Sequence, residues 1–132
     1  MKIIDKLAWI EIKDKTILST ISKGKQKYYI PGGKREQGET DEQALCREIK
    51  EELNVELRKD TLQYLGTFEA QADSHAEGII VKMTCYTADY TGALAASAEI
   101  DHFRWLSSAD KDKISEVDKL IFDYLKEQDL LA

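Results

Sequence analysis

One stretch, residues 32–55, limits the fold of this chain more than any other. It reads Gly-Gly-Lys-Arg-Glu-Gln-Gly-Glu-Thr-Asp-Glu-Gln-Ala-Leu-Cys-Arg-Glu-Ile-Lys-Glu-Glu-Leu-Asn-Val. A glycine-rich turn should pass into a helix over 41–53, since Thr40 is a good N-cap and Gln43, three residues on, completes a capping box. Asn54 should end the helix, being the non-glycine residue most tolerant of the left-handed conformation that closes one. At about 100° per residue, Leu45, Cys46, Ile49 and Leu53 form an apolar stripe suited to packing on a sheet. Glu48, Glu51 and Glu52 fall together on the neighbouring arc, beside the small Ala44.

That acidic arc is unfavourable in an isolated helix. Glu48 repels Glu51 at i,i+3 and Glu52 at i,i+4, each pair costing about 0.2–0.5 kcal/mol. All three also sit toward the negative end of the helix dipole, at a further ~0.3 kcal/mol or more apiece. A solvated acidic face is the ordinary reading of a Glu-Glu pair, but the glycine turn upstream favours another. The two glycines let backbone approach a ligand closely enough to aim a carbonyl at a cation, and grouped carboxylates without His or Cys suit Mg²⁺, with Mn²⁺ as the alternative, rather than Zn²⁺.

With these residues in place, the stretch resembles the Nudix box of the Nudix (MutT-like) hydrolases. Its pattern falls on Gly33, Glu39, Arg47, Glu48, Ile49, Glu51, Glu52, Asn54 and Val55. Only Asn54 departs, standing where the family usually has glycine. The resemblance implies an α/β fold with a mixed β-sheet sandwiched between α-helices. It also implies a metal site built from Glu48, Glu51, Glu52 and the Gly32 carbonyl. Glu39 would anchor the loop, and Arg47 would pair with a box carboxylate and orient it. Many relatives carry a further glutamate just before a Trp-containing strand, as ligand or base. Ser97-Ala-Glu-Ile-Asp-His-Phe-Arg-Trp105 is similar, which points to Glu99, with Asp101 and Glu69 as competitors. The implied reaction is Mg²⁺-dependent hydrolysis of the diphosphate link in a nucleoside diphosphate joined to another group, with Glu48 or Glu99 accepting the proton from water. The alternative is a non-catalytic module that binds a nucleotide or ADP-ribose, although every acidic box position is filled.

The chain's 132 residues suit one domain over 1–132. A net charge of −6 opposes non-specific nucleic-acid binding, which needs a basic surface. No apolar run reaches the ~20 residues of a membrane span, and residues 1–5 do not resemble a signal peptide. Cys46 and Cys85 form no disulfide framework or metal-ligand spacing, and read as small core residues of a cytoplasmic protein. The expected partner is a small nucleotide, with a homodimer left open.

Leu7–Ile12 and Thr16–Ile21 read as an antiparallel hairpin across Lys13-Asp14-Lys15. A polar loop with lysines at 23, 25 and 27 leads to Tyr28–Ile30 and Pro31. Those lysines suit plain solvation, or the reception of substrate phosphates. Of Tyr28 and Tyr29, one should be core and the other should face the site. Further strands are expected over Leu62–Glu69, with Gly66 as a bulge, and over Ile79–Tyr90 and Glu99–Leu106. The last helix should start near Ser115, with Asp118 closing a weak capping box and Val117, Leu120, Ile121, Tyr124 and Leu125 as its apolar face. His75 and His102 read as ordinary loop and strand histidines. Relatives directed at ADP-ribose often have a proline about fifteen residues past the box, and dinucleoside polyphosphate relatives a tyrosine near Gln71, Ala72 and Asp73. Neither occurs here, which tilts the expectation to nucleoside triphosphates or modified nucleotides.

If the acidic arc holds a cation, Mg²⁺ or Mn²⁺ should raise the melting temperature of the native protein through linkage to the folded state. The Glu51→Gln/Glu52→Gln double variant should respond far less in the same differential scanning measurement. Equal shifts in both proteins would remove these residues as ligands.

Overall fold

The computed structural model describes residues 2–72 and 78–132; His75 and Asp73 lie outside them. The chain runs β1 (Lys2–Trp9), β2 (Ile12–Lys13), β3 (Thr16–Ser22), β4 (Gly32–Gly33), α1 (Asp41–Leu53), β5 (Glu56–Leu57), β6 (Gln63–Gln71), β7 (Ile79–Thr87), β8 (Tyr90–Thr91), β9 (Ile100–Leu106) and α2 (Glu116–Glu127). One mixed sheet has the order β4-β1-β7-β6, with β1 and β7 parallel and the other pairs antiparallel. A second sheet has the order β2-β3-β9, and β5 pairs with β8.

The centre of the fold is the end of β1, where Leu7, Ala8 and Trp9 are wholly buried and Ile10 nearly so. Alternate residues of a strand point to opposite faces. Leu7 and Trp9 enter the cluster formed with Leu45, Ile49 and Leu53 of α1. Ala8 and Ile10 enter a second cluster, with Ile121, Phe122 and Leu125 of α2. The mixed sheet therefore lies between the two helices, each buried large side chain contributing roughly 1.5–3 kcal/mol. The Trp9 indole N–H, which has no water at that depth, donates to the Ala88 carbonyl at 3.1 Å.

This double burial corrects the expected hairpin. The segment 7–12 does not pair as a unit with 16–21; it divides. Ile10 N–H donates to Tyr86 O at 2.8 Å, continuing the parallel ladder, whereas Leu18 N–H donates to Glu11 O at 3.0 Å, and Ile12 and Lys13 then pair with Ile17 and Thr16 in the other sheet. A strand apolar on both faces needs cover on both, which an outer hairpin cannot supply. The long strand expected over 79–90 also breaks, at Ala88 and Asp89, where Arg58 N–H takes the Asp89 carbonyl.

Both helix ends of α1 follow the sequence. Thr40 accepts from Gln43 N–H, Gln43 returns a bond to Thr40 N–H, and Asn54 adopts φ 59°, ψ 30°. The bulge expected at Gly66 appears as a register shift between Tyr64 and Gly66. In α2 the Ser115 cap forms, but Asp118 does not return to it; its wholly buried carboxylate accepts from Ile30 N–H at 2.9 Å and ties the approach to Pro31 onto the helix. Leu120 is 44% exposed and Phe122 takes its place in the core. Cys85 is buried and Cys46 half-buried. No helix among the described residues is long and apolar enough to cross a membrane.

The left-handed conformation costs most residues about 1–2 kcal/mol, and glycine almost nothing. Asn54→Ala should therefore destabilise the protein by about 1 kcal/mol, and Asn54→Gly should leave it unchanged or slightly more stable. Urea denaturation of the two variants checks this ordering.

Candidate active site

Backbone geometry sets the floor of the site. Gly32 has φ +150°, and a Cβ there would collide with the Leu7 carbonyl; only glycine lets β4 lie against β1. At Gly33 a Cβ would stand 2.5 Å from the Glu48 carboxyl. The glycine pair thus brings α1 and its carboxylates directly onto the turn.

Arg47 organises the loop between them. Its Nε donates to Glu39 Oε2 at 2.7 Å and its Nη2 to Glu39 Oε1 at 2.9 Å, a bidentate pair. The remaining donors reach the Lys34 carbonyl at 3.1 Å, Glu48 Oε1 at 2.9 Å and Glu51 Oε1 at 3.4 Å. Glu39 also accepts from Glu36 N–H at 2.7 Å. The Arg47 guanidinium and this N–H hold the Glu39 carboxyl down to about 2, and Glu39 in turn keeps Arg47 firmly protonated. A second network pins the same loop: Arg35 binds Asp41 and Asp5, each at 2.6 Å, and the Tyr86 hydroxyl donates to Asp41 at 2.7 Å.

Of the acidic residues singled out from the sequence, Glu48, Glu52 and Glu99 line one cavity of about 780 Å³ together with Gly32 and Gly33. Glu51 lies outside that lining, with its side chain 53% exposed. Neither Asp101 nor Glu69 lines it. Asp101 turns instead to His102 Nδ1 at 2.6 Å, whose Nε2 is 2.7 Å from the Tyr28 hydroxyl. Tyr28 is core and Tyr29 faces the cavity, dividing the tyrosine pair as the alternation requires.

Glu99 reaches the site because its loop is bonded to α1. Ala95 N–H donates to Leu53 O and Ser97 N–H to Glu52 O, both at 3.0 Å. The residues that the sequence reading did not place here are Lys6 and Lys34, which line the same cavity. Lys34 adjoins the glycine pair and was within reach of a local reading. Lys6 enters through the antiparallel pairing of β1 with the glycine turn, a contact between distant segments that leaves no local signal.

Burial pushes Glu52 up to about 8, helped by the charges of Glu48 and Glu99 and opposed by Gly32 N–H at 3.3 Å and by Lys6. Burial also raises Glu48, against the pull of Arg47. Among the described residues, no three His, Cys, Asp or Glu side chains are gathered tightly enough to hold an ion as they stand, since Arg47 engages Glu48 and Gly32 N–H engages Glu52. The donor set nevertheless fits a hard divalent cation: it is all oxygen, concentrated in charge, and laid against two glycines that leave room for one.

A family model for the NUDIX domain matches residues 10–125. Among solved structures, the chain is similar to the ORF135 protein of E. coli, at 26% identity over 96% of this chain and 92% of that one, with a TM-score of 0.73. The MutT of Aliivibrio salmonicida and Vibrio cholerae matches at 21% identity over 96% and 99%, with a TM-score of 0.70. A bifunctional NMN adenylyltransferase/ADP ribose pyrophosphatase of Francisella tularensis, complexed with AMP and a Mn ion, matches at 24% identity over 94% of this chain and 41% of that one, with a TM-score of 0.67. The last two likenesses speak to the fold. No curated protein matches the chain.

Because Glu52 binds its proton more tightly folded than unfolded, its contribution to stability is complete below the usual carboxylate range, near 4.5, and is lost as pH rises toward about 8. In chelator, the melting temperature should fall between pH 5 and pH 8. Glu52→Gln should flatten that slope. A slope unchanged by the substitution would place the titration elsewhere.

Proposed function

The chain belongs to the Nudix family, hydrolases of phosphoric anhydride bonds in nucleoside diphosphate derivatives, and from that premise we propose that it is a Mg²⁺-dependent pyrophosphohydrolase acting on a nucleoside triphosphate or modified nucleotide. The observation that carries this reading is the meeting of Glu48, Glu52 and Glu99 with the glycine pair in one cavity that lysines also line. An acidic wall alone would repel a polyphosphate, and a basic wall alone would hold it without reaction.

In this reading Glu48, Glu51, Glu52, Glu99 and the Gly32 carbonyl would hold a divalent cation, which when bound would neutralise phosphate charge and lower the pKa of water. Arg47 fixes the rotamer of Glu48 and, through Glu39 and the Lys34 carbonyl, the shape of the loop beside it. Water adds its oxygen to phosphorus and its proton passes to Glu48 or Glu99, while the bridging oxygen leaves with the departing phosphate group. A second cavity of about 250 Å³ adjoins the first across Lys6, Tyr29 and Lys34. It is lined by Ile4, Val81, Met83 and Val117, with Gln71 and Ser115 at its polar edge. An apolar slot with a few polar groups suits a nucleobase.

A phosphate-release screen with Mg²⁺ across nucleoside triphosphates, nucleotide sugars and dinucleotides tests the reaction; binding without release would turn the reading toward a non-catalytic module. On the best substrate, Glu48→Gln should lower turnover by at least ~10²-fold. Glu99→Gln should also lower turnover, while Asp101→Asn should leave it near native and both should stay within about 0.5 kcal/mol in stability. A greater loss in Asp101→Asn than in Glu99→Gln would move the downstream carboxylate.

A further inference from the structure

The cavity's lysines have a layout of their own. Lys6, Lys25, Lys27 and Lys34 line it in a chain of net charge −6. Several lysines elsewhere make ion pairs: Lys15 with Asp129 at 2.8 Å, Lys113 with Asp110 and Lys119 with Glu116 at 3.0 Å. Among the described residues, Lys6, Lys25 and Lys34 stand within ion-pair distance of no carboxylate, although three glutamates share their cavity. Lys6 lies over the Tyr29 ring at 5.5 Å. These lysines also divide by position. Lys6 and Lys34 border both the large cavity and the apolar one beside it, whereas Lys25 and Lys27 border the large cavity alone.

Lys25 is held in place by backbone. Its N–H donates to Ser22 O at 3.0 Å, closing a turn, and Lys23 N–H donates to Glu99 O at 2.8 Å. The lysine loop is therefore joined to the segment that carries the downstream carboxylate. A lysine is a compact point charge with rotatable donors, suited to phosphate oxygens whose exact orientation varies.

Resting on the pyrophosphohydrolase reading, we infer that Lys25 receives the terminal phosphates of a nucleoside triphosphate, while Lys6 and Lys34 face the phosphate next to the nucleoside. Lys25 is thereby a residue that separates triphosphates from nucleoside diphosphates capped by an uncharged group. The two ends of the substrate are read by different lysines because only Lys6 and Lys34 adjoin the apolar slot.

The test titrates inorganic pyrophosphate and GMP, with Mg²⁺, into native protein, Lys25→Gln, Lys25→Arg and Lys15→Gln by calorimetry. Pyrophosphate affinity should fall about 10-fold or more in Lys25→Gln, as expected for a lost charged hydrogen bond. It should recover in large part in Lys25→Arg and be unchanged in Lys15→Gln, with GMP affinity the same throughout. No pyrophosphate binding by native protein, equal affinity in Lys25→Gln, or a parallel loss for GMP would each overturn the assignment. The titration needs no turnover, so a protein that binds pyrophosphate through Lys25 yet hydrolyses no anhydride would defeat the pyrophosphohydrolase reading alone. A native enzyme that prefers nucleotide sugars to triphosphates would keep that chemistry and defeat the role of Lys25.

Discussion

The guanidinium of Arg47 is the interaction on which the site's shape depends. It spends its donors on a loop carboxylate, a loop carbonyl and two helix carboxylates, at 2.7–3.4 Å, so turn and helix are held in one geometry. No lysine could replace it, because a point charge lacks the planar fork that takes both oxygens of Glu39 while still reaching Glu48. With its side chain 23% exposed, Arg47 is not sealed from water, so its value lies in registering parts against one another more than in raw stability. The carboxylates need it for a further reason. Glu52 faces the charges of Glu48 and Glu99, and Glu48 those of Glu51 and Glu99, with the ordinary solvation of both partly removed, and the Arg47 guanidinium beside Glu48 keeps that residue from turning away.

The scaffold under this network is bought by burying β1 on both faces. Leu7 and Trp9 pack under α1 while Ala8 and Ile10 pack under α2, so the strand that receives the glycine turn is also the one least free to move. Ala8 pairs with Gly32 and Leu7 with Gly33. Displacement of the turn would have to open the central core, and loss of a large buried side chain there costs about 2–5 kcal/mol. The acidic helix thus stands on a wholly buried stretch of strand, which suits a group of carboxylates that repel one another.

What the sequence made legible was local. Thr40, Gln43 and Asn54 act over three or four residues, and the arcs of α1 follow from a fixed angle per residue; these needed no knowledge of the remaining chain. Pairing partners were not legible, because Leu7–Ile12 is apolar on both faces and says only that it will be covered, not by which strand. Asp118 was misplaced for a related reason. Its spacing from Ser115 fits a cap, but Ile30 N–H, eighty-eight residues away, takes its carboxylate. Lys6 enters the site by the pairing of β1 with the glycine turn. Glu51 shows the converse: it shares the helical arc of Glu48 and Glu52, yet it does not line their cavity and its side chain is half exposed.

The position of Glu99 joins the local and the distant. A helix leaves its last carbonyls without intrahelical donors, and the left-handed turn at Asn54 swings the chain away after one bond, from Asn54 N–H to Lys50 O at 3.1 Å. The carbonyls of Glu52 and Leu53 are then open, and the segment after Gly92 supplies Ser97 and Ala95 N–H to them. Gly92, at φ +104°, lets that segment turn beside the end of α1, where a Cβ on it would stand 3.8 Å from the Asn54 carbonyl oxygen. Two residues beyond Ser97 the chain presents Glu99, at a distance from Glu52 set by helix termination and not by any contact of its own side chain. A carboxylate from a poorly patterned loop is therefore delivered to the box helix by the same residue that closes that helix, and the one departure from the box pattern, Asn54 for glycine, preserves the backbone conformation on which this delivery depends.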